Sequence, residues 1–153
     1  MSLQGNFSEQ ESGLDNSLGR QAEQLFRQGY NCCESIIKAS NAVFNLGLPD
    51  NIYLLGRFFR QGLGSGCICG ALAGGTMILG YMSGESKDAK QVAERFRSQF
   101  IQHFGSTCCR EIRKQQSITE RYRKTGCRRI TQVAASLVQE LCGGETDQGV
   151  QNS

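Results

Sequence analysis

The amino-acid sequence predicts an all-α fold, a compact bundle of about six or seven helices around a buried, glycine-rich helix. Apolar residues recur at helical spacing, and no alternating strand pattern of useful length occurs. One proline stands among nineteen glycines, as expected for helices separated by glycine turns. Hydrophobic residues make up 39% of the chain and charged residues 20%, which favours a packed core over disorder.

The 153 residues are expected to form one helical, cysteine-rich domain at residues 16–143, between flexible tails at 1–15 and 144–153. Both tails are polar and show no helical period. The longest nearly apolar run, residues 67–82, is shorter than the about 20 residues that a membrane span needs. Residues 1–30 contain no apolar segment typical of a secretory signal. We therefore expect a cytoplasmic protein with no membrane span.

The first helices follow from apolar spacing and from capping residues. The pattern over residues 18–26 predicts the first helix. Asn31, with Glu34 three residues later, forms a variant capping box that begins a second helix, which continues to Phe44. A short helix is expected over residues 51–59, and a flexible glycine-rich loop follows it.

The central helix is predicted over residues 67–81, which carry almost no polar side chain, so we expect burial on all sides. Glycines recur every fourth residue at Gly66, Gly70 and Gly74, and this stripe lets another helix approach closely. The approach could occur within the chain or across a homodimer. A strongly amphipathic helix is predicted next, over residues 89–104.

Three further helix starts are predicted from polar capping residues. Ser106 is expected to cap one short helix, and Ser117 with Glu120 forms a capping box for another. Thr125 is expected to cap the last helix, in which apolar residues keep a 3.6-residue period to Leu141.

The eight cysteines are the main functional signal. Their frequency lies below the roughly 8–10% of disulfide-stapled secreted domains, so we interpret them as ligands or redox groups. Cys142 is the exception, because it ends an apolar helix face and is expected to pack in the core. The others fall in four clusters, each at the start of a predicted helix: Cys32 with Cys33, Cys67 with Cys69, Cys108 with Cys109, and Cys127.

A helix start is a favourable place for a thiolate, because unpaired backbone N–H groups and the helix dipole stabilise negative charge there. We therefore expect lowered thiol pKa values and, if the helix starts converge, one pocket built from four segments. No C-x-x-C pair occurs, so the spacing differs from that of common zinc knuckles and of c-type haem attachment.

Four segments together show a resemblance to a known family. They are NCCESI at residues 31–36, CGALAG at 69–74, FGSTCCREI at 104–112, and Cys127. In this order, over about residues 20–140, the chain resembles the C_GCAxxG_C_C family of redox-active proteins. The resemblance implies redox activity and hints at an iron–sulfur cluster. It assigns the site to Cys32, Cys69, Cys109 and Cys127, with Cys33, Cys67 and Cys108 as alternates.

Several functions stay open at this point. In the first, the four cysteines hold an iron–sulfur cluster for electron transfer to an unidentified redox partner protein. In the second, a metal-free thiol–disulfide protein pairs Cys32 and Cys69 with Cys109 or Cys127. In the third, a zinc ion has a purely structural role.

A fourth possibility is a basic module that binds an acidic partner, because residues 110–129 carry eight basic and two acidic side chains. We interpret this stretch as a solvated helix face that also balances thiolate charge, so nucleic acid is not an expected partner. No catalytic residue is assigned, since the single histidine, His103, gives no Cys–His–Asn set. The sequence leaves open whether the protein is an enzyme.

Overall fold

A computed structural model describes residues 16–143, and the tails expected at 1–15 and 144–153 lie outside the described residues. Within residues 16–143 the chain forms seven α-helices, one 3-10 helix and a short π-helical turn (Gly62–Gly66), with no strand, which confirms the all-α prediction. The elements are α1 (Ser17–Arg27), α2 (Cys32–Val43), the 3-10 helix (Ile52–Phe59), α3 (Gly70–Ser83), α4 (Ala89–Phe104), α5 (Cys109–Lys114), α6 (Ile118–Arg123) and α7 (Thr125–Gly143).

Side-chain caps fix several helix starts. The Asn16 side chain accepts a hydrogen bond from Gly19 N at the start of α1. The capping boxes predicted at Asn31 and Ser117 are both present, at the starts of α2 and α6. Ser106 does not cap a helix, because its hydroxyl accepts from Cys108 N in a turn before α5 begins.

The helices pack around one apolar core. Helix α1 packs against α7 and α2, α2 packs against α3 and the 3-10 helix, and α3 packs against α4 and α7. The largest fully buried apolar side chains are Phe96, Phe100, Leu18, Ile36 and Val138. None of the helices in the described part combines the length and apolar character needed to cross a bilayer.

The glycine-rich helix α3 begins at Gly70, three residues later than predicted. Left-handed backbone at Gly66 (φ 80°) and Ile68 (φ 56°) keeps the preceding residues in a loop. Burial on all sides is not observed either, since Met77 and Tyr81 are 37% and 54% exposed. Helix α3 is therefore buried on one face and open to solvent on the other.

The buried face of α3 lies against α2 of the same chain. A Cβ atom at Gly74 would lie 3.0 Å from the Cys33 carbonyl oxygen, and one at Gly70 would lie 2.5 Å from the Cys32 Sγ. Glycine at these two positions lets the backbones of α2 and α3 meet. This contact brings the starts of the two helices, each with a cysteine, to the same side of the bundle.

Candidate functional site

One cavity of about 180 Å³ collects four cysteines from four different helix starts. Cys32 is the first residue of α2, and Cys69 is the residue that precedes α3. Cys109 is the first residue of α5, and Cys127 lies in the first turn of α7. The structure thus brings together the four cysteines to which the family resemblance assigned the site, and their role as ligands stays a prediction.

The three alternate cysteines lie outside this cavity. Cys33 is fully buried and points at Gly56, where a Cβ would come within 2.8 Å of its Sγ. Cys67 is exposed and Cys108 is half-buried, and their sulfur atoms are 3.4 Å apart. One member of each adjacent pair therefore faces the cavity, and the choice depends on how the helices pack.

The four cavity thiols have raised pKa values, and burial is the largest cause for each. Burial raises the pKa of Cys69 to about 12, and that of Cys32 rises well above its ordinary value. Mutual repulsion adds to burial, because charge on Cys69, Cys127 or Cys109 would further raise the pKa of Cys32. The metal-free site is therefore a set of neutral thiols at neutral pH.

These shifts correct the expectation that helix starts lower the thiol pKa. The expected effect exists, because the backbone N–H groups of Ala71 and Leu72 lower the pKa of Cys69. Removal from water acts in the opposite direction and is larger, since it disfavours the charged form of any acid. Placement at a helix start therefore did not determine the net shift.

Cationic side chains line the same cavity, together with an apolar wall. Arg113 lowers the pKa of both Cys109 and Cys127, and Lys124 lowers that of Cys127 as well. None of the described residues that line the cavity is acidic. The cations are Arg60, Arg113, Arg121 and Lys124, and the apolar wall includes Phe26, Tyr30, Ile112 and Ile130.

Three of these cations belong to the basic stretch at residues 110–129, so part of that stretch lies at the cysteine site. Its role in balancing thiolate charge stays a prediction. Others in the stretch are engaged elsewhere, since Lys114 pairs with Glu111 and Arg128 with Glu23. Sequence reasoning missed Arg60 because nothing in its local pattern links it to the cysteines.

Asn31 also lines the cavity and ties α2 to the 3-10 helix. Its side chain accepts from Glu34 N at 2.9 Å and donates to the carbonyl oxygens of Gly56 and Arg57, at 3.1 and 3.0 Å. The residue is 6% exposed, so these bonds replace water almost completely. They hold the turn that presents Cys32.

Replacing Asn31 with alanine is expected to lower the free energy of unfolding by about 2–3 kcal/mol, measured by denaturant titration. The replacement removes a cap and the two hydrogen bonds that the Asn31 side chain donates to the Gly56 and Arg57 carbonyl oxygens. Ser117→Ala is the matched control, because it removes the cap of the exposed helix α6 and costs about 1 kcal/mol. Equal losses in the two variants would contradict the role given to the Gly56 and Arg57 bonds.

Within residues 16–143, no group of three or more His, Cys, Asp or Glu side chains is arranged to hold a metal ion. Four thiolates around one zinc ion would have sulfur atoms about 3.8 Å apart, from the Zn–S distance and tetrahedral geometry. The cavity volume far exceeds the about 10–15 Å³ that one water needs. The cavity that the four thiols line is thus larger than a single ion.

The family model described as "Putative redox-active protein (C_GCAxxG_C_C)" matches residues 30–141, most of the chain. The protein belongs to the C_GCAxxG_C_C family. The match covers every element from α2 to most of α7 and includes all four cysteines of the cavity. The redox character in the family's name therefore agrees with a site made of thiols. No curated protein and no solved structure matches the chain.

Proposed function

We propose that this C_GCAxxG_C_C protein carries electrons by means of an iron–sulfur cluster held by Cys32, Cys69, Cys109 and Cys127. The observation that carries the proposal is the convergence of four thiols from four helix starts on one cavity. Four cysteine ligands are standard for two-iron and four-iron clusters. When bound, such a cluster accepts and releases single electrons.

The size of the cavity supports a cluster over a single ion. In a cluster each thiolate binds its own iron or shares one iron with a single other thiolate, so the set of sulfur atoms is spread more widely than around zinc. The cavity of about 180 Å³ that the four thiols line has room for more than a single ion. Its apolar wall would limit access of water to the metal.

The charges at the cavity support the same proposal. Without a metal, the raised pKa values keep these four thiols protonated at neutral pH. A metal centre reverses this situation, because coordination deprotonates a thiol outright. The four thiolates would then face the cations Arg60, Arg113, Arg121 and Lys124, with no carboxylate among the described residues lining the cavity.

The test is to purify the full chain without oxygen and to measure iron, acid-labile sulfide and zinc per chain, together with the visible spectrum. Iron and sulfide in matching amounts, with broad visible absorption, are the expected result. A sample lacking iron is to be incubated with ferrous iron, sulfide and a thiol reductant before the measurement is repeated.

The alternative outcomes are distinct. Zinc alone would overturn the proposal in favour of a structural metal site. A chain that takes up no metal, even after incubation with iron and sulfide, would overturn it in favour of metal-free thiol–disulfide chemistry. Titration of free thiols before and after reduction would then identify the cysteines involved.

A further inference from the structure

Two further sulfur atoms, those of Cys67 and Cys108, lie close together outside the four-cysteine cavity. The Sγ atoms of Cys67 and Cys108 are 3.4 Å apart, and the Cys108 Sγ is also 3.3 Å from the Gly66 carbonyl oxygen. Cys67 is exposed and Cys108 half-buried, so a small reagent in solution can reach the pair. Neither residue lines the cavity.

Hydrogen bonds on both sides hold the two segments together. Cys69 N donates to the Thr107 carbonyl oxygen at 2.8 Å, directly beside the pair. The guanidinium of Arg110 donates to the Ser65 carbonyl oxygen at 2.6 Å. The two thiols are therefore adjacent because the fold fixes their backbones, although they are 41 residues apart in the sequence.

We propose that Cys67 and Cys108 form a reversible disulfide by exchange with a low-molecular-weight disulfide such as oxidised glutathione. The proposal does not depend on the cluster, because it concerns two thiols that the cavity does not use. It adds a thiol–disulfide site to the protein and assigns a role to two cysteines outside the four-cysteine set.

The exchange takes place in two steps. Cys67, the more exposed thiol, loses its proton to solvent and attacks one sulfur of oxidised glutathione, which forms a mixed disulfide and releases one glutathione thiolate. Cys108 then loses its proton and attacks the Cys67 sulfur, which forms the internal disulfide and releases the second glutathione. Two protein thiols are oxidised, one glutathione disulfide is reduced to two thiols, and the two leaving thiolates take up the two protons.

The second step is favoured by position. A thiol held 3.4 Å from its target acts at a high effective concentration, well above that of free glutathione. The mixed disulfide at Cys67 is therefore expected to be short-lived in the wild-type chain and to persist only when Cys108 is missing.

The resulting bond would join two of the segments that build the cavity. Cys67 lies two residues before Cys69, and Cys108 directly precedes Cys109. The oxidised pair would link the loop before α3 covalently to the start of α5. A cross-link at this place would hold two cavity walls together without occupying any of the four cavity thiols.

The test uses the full chain in anaerobic glutathione buffers of increasing oxidised fraction, followed by acid quenching, alkylation and peptide mass spectrometry. The expected product is a peptide cross-link located by fragmentation at Cys67 and Cys108. In Cys108→Ser, glutathione is expected to accumulate on Cys67, about tenfold above the wild-type level. In Cys67→Ser, the cross-link is expected to be lost. Cys142→Ser, a change near the other end of α7, should leave the cross-link unchanged.

Two results would overturn the proposal. One is a wild-type chain in which Cys67 stays reduced, or keeps glutathione to the same extent as in Cys108→Ser. The other is a cross-link that persists in Cys67→Ser or Cys108→Ser, since other cysteines would then form it.

Iron content, measured in parallel, is expected to be the same in these variants as in the wild type. Failure of the disulfide proposal is thus distinguishable from failure of the cluster proposal.

Discussion

Replacing Cys109 with serine is expected to lower the iron and acid-labile sulfide per chain about tenfold, whereas the same replacement at Cys108 leaves both unchanged. The two residues are adjacent in the sequence and differ in where their side chains lie. The Cys109 thiol lines the cavity, and the Cys108 thiol faces Cys67 outside it. A serine hydroxyl ionises far less readily than a thiol, so it is a poor replacement for a thiolate ligand.

The comparison is made on anaerobically purified proteins, with circular dichroism to confirm that both variants are folded. Because the two substitutions have the same chemistry, a difference in iron content reports the position of the side chain. Equal loss in both variants, or full iron content in Cys109→Ser, would show that the cavity does not select Cys109 as a ligand.

The elements that the sequence predicted correctly depend on local chemistry. The capping box of Asn31 and Glu34 is formed by residues three apart, and a short stretch of sequence is enough to identify it. The same holds for Ser117 and Glu120 at α6. The placement of Cys32, Cys69, Cys109 and Cys127 at helix starts was predictable in the same way.

The choice between adjacent cysteines was not predictable, because it depends on packing between distant segments. Cys33 is directed into the core by the close approach of Gly56 and Gly74, which lie in two other elements. Cys108 meets Cys67 through contacts between a loop and a turn that are far apart in the sequence. Helical periodicity carries no information about either contact.

The predicted direction of the thiol pKa shifts was wrong for a related reason. The sequence shows the helix start, which stabilises a thiolate, but it does not show how far a thiol is removed from water. Burial is the largest cause of the raised pKa of Cys69, and the nearby N–H groups only reduce the shift. An estimate of charge at a site therefore requires the tertiary structure.

Replacing Gly75 with alanine is expected to lower the free energy of unfolding by about 1–3 kcal/mol, measured by denaturant titration. A Cβ at Gly75 would overlap the ring of Phe96 and lie 3.0 Å from a methyl group of Val138. Both side chains are fully buried, and Phe96 also packs edge-to-face on Phe100. Because the Phe96 ring is fully buried, a shift that makes room for the extra methyl group disturbs the contacts of α3 with α4 and α7.

Gly80→Ala is the matched control, because Gly80 lies in the same helix and a Cβ there would meet nothing within 4 Å. Alanine favours the helix over glycine by about 0.5–1 kcal/mol, so this variant is expected to be slightly more stable than the wild type. If both variants gained stability, the close packing inferred at Gly75 would be wrong. Opposite signs would mean that glycine is kept at Gly75 by the neighbouring helices, against its own unfavourable helix propensity. Helix α3 would then owe its position, and with it the place of Cys69 in the cavity, to these close contacts.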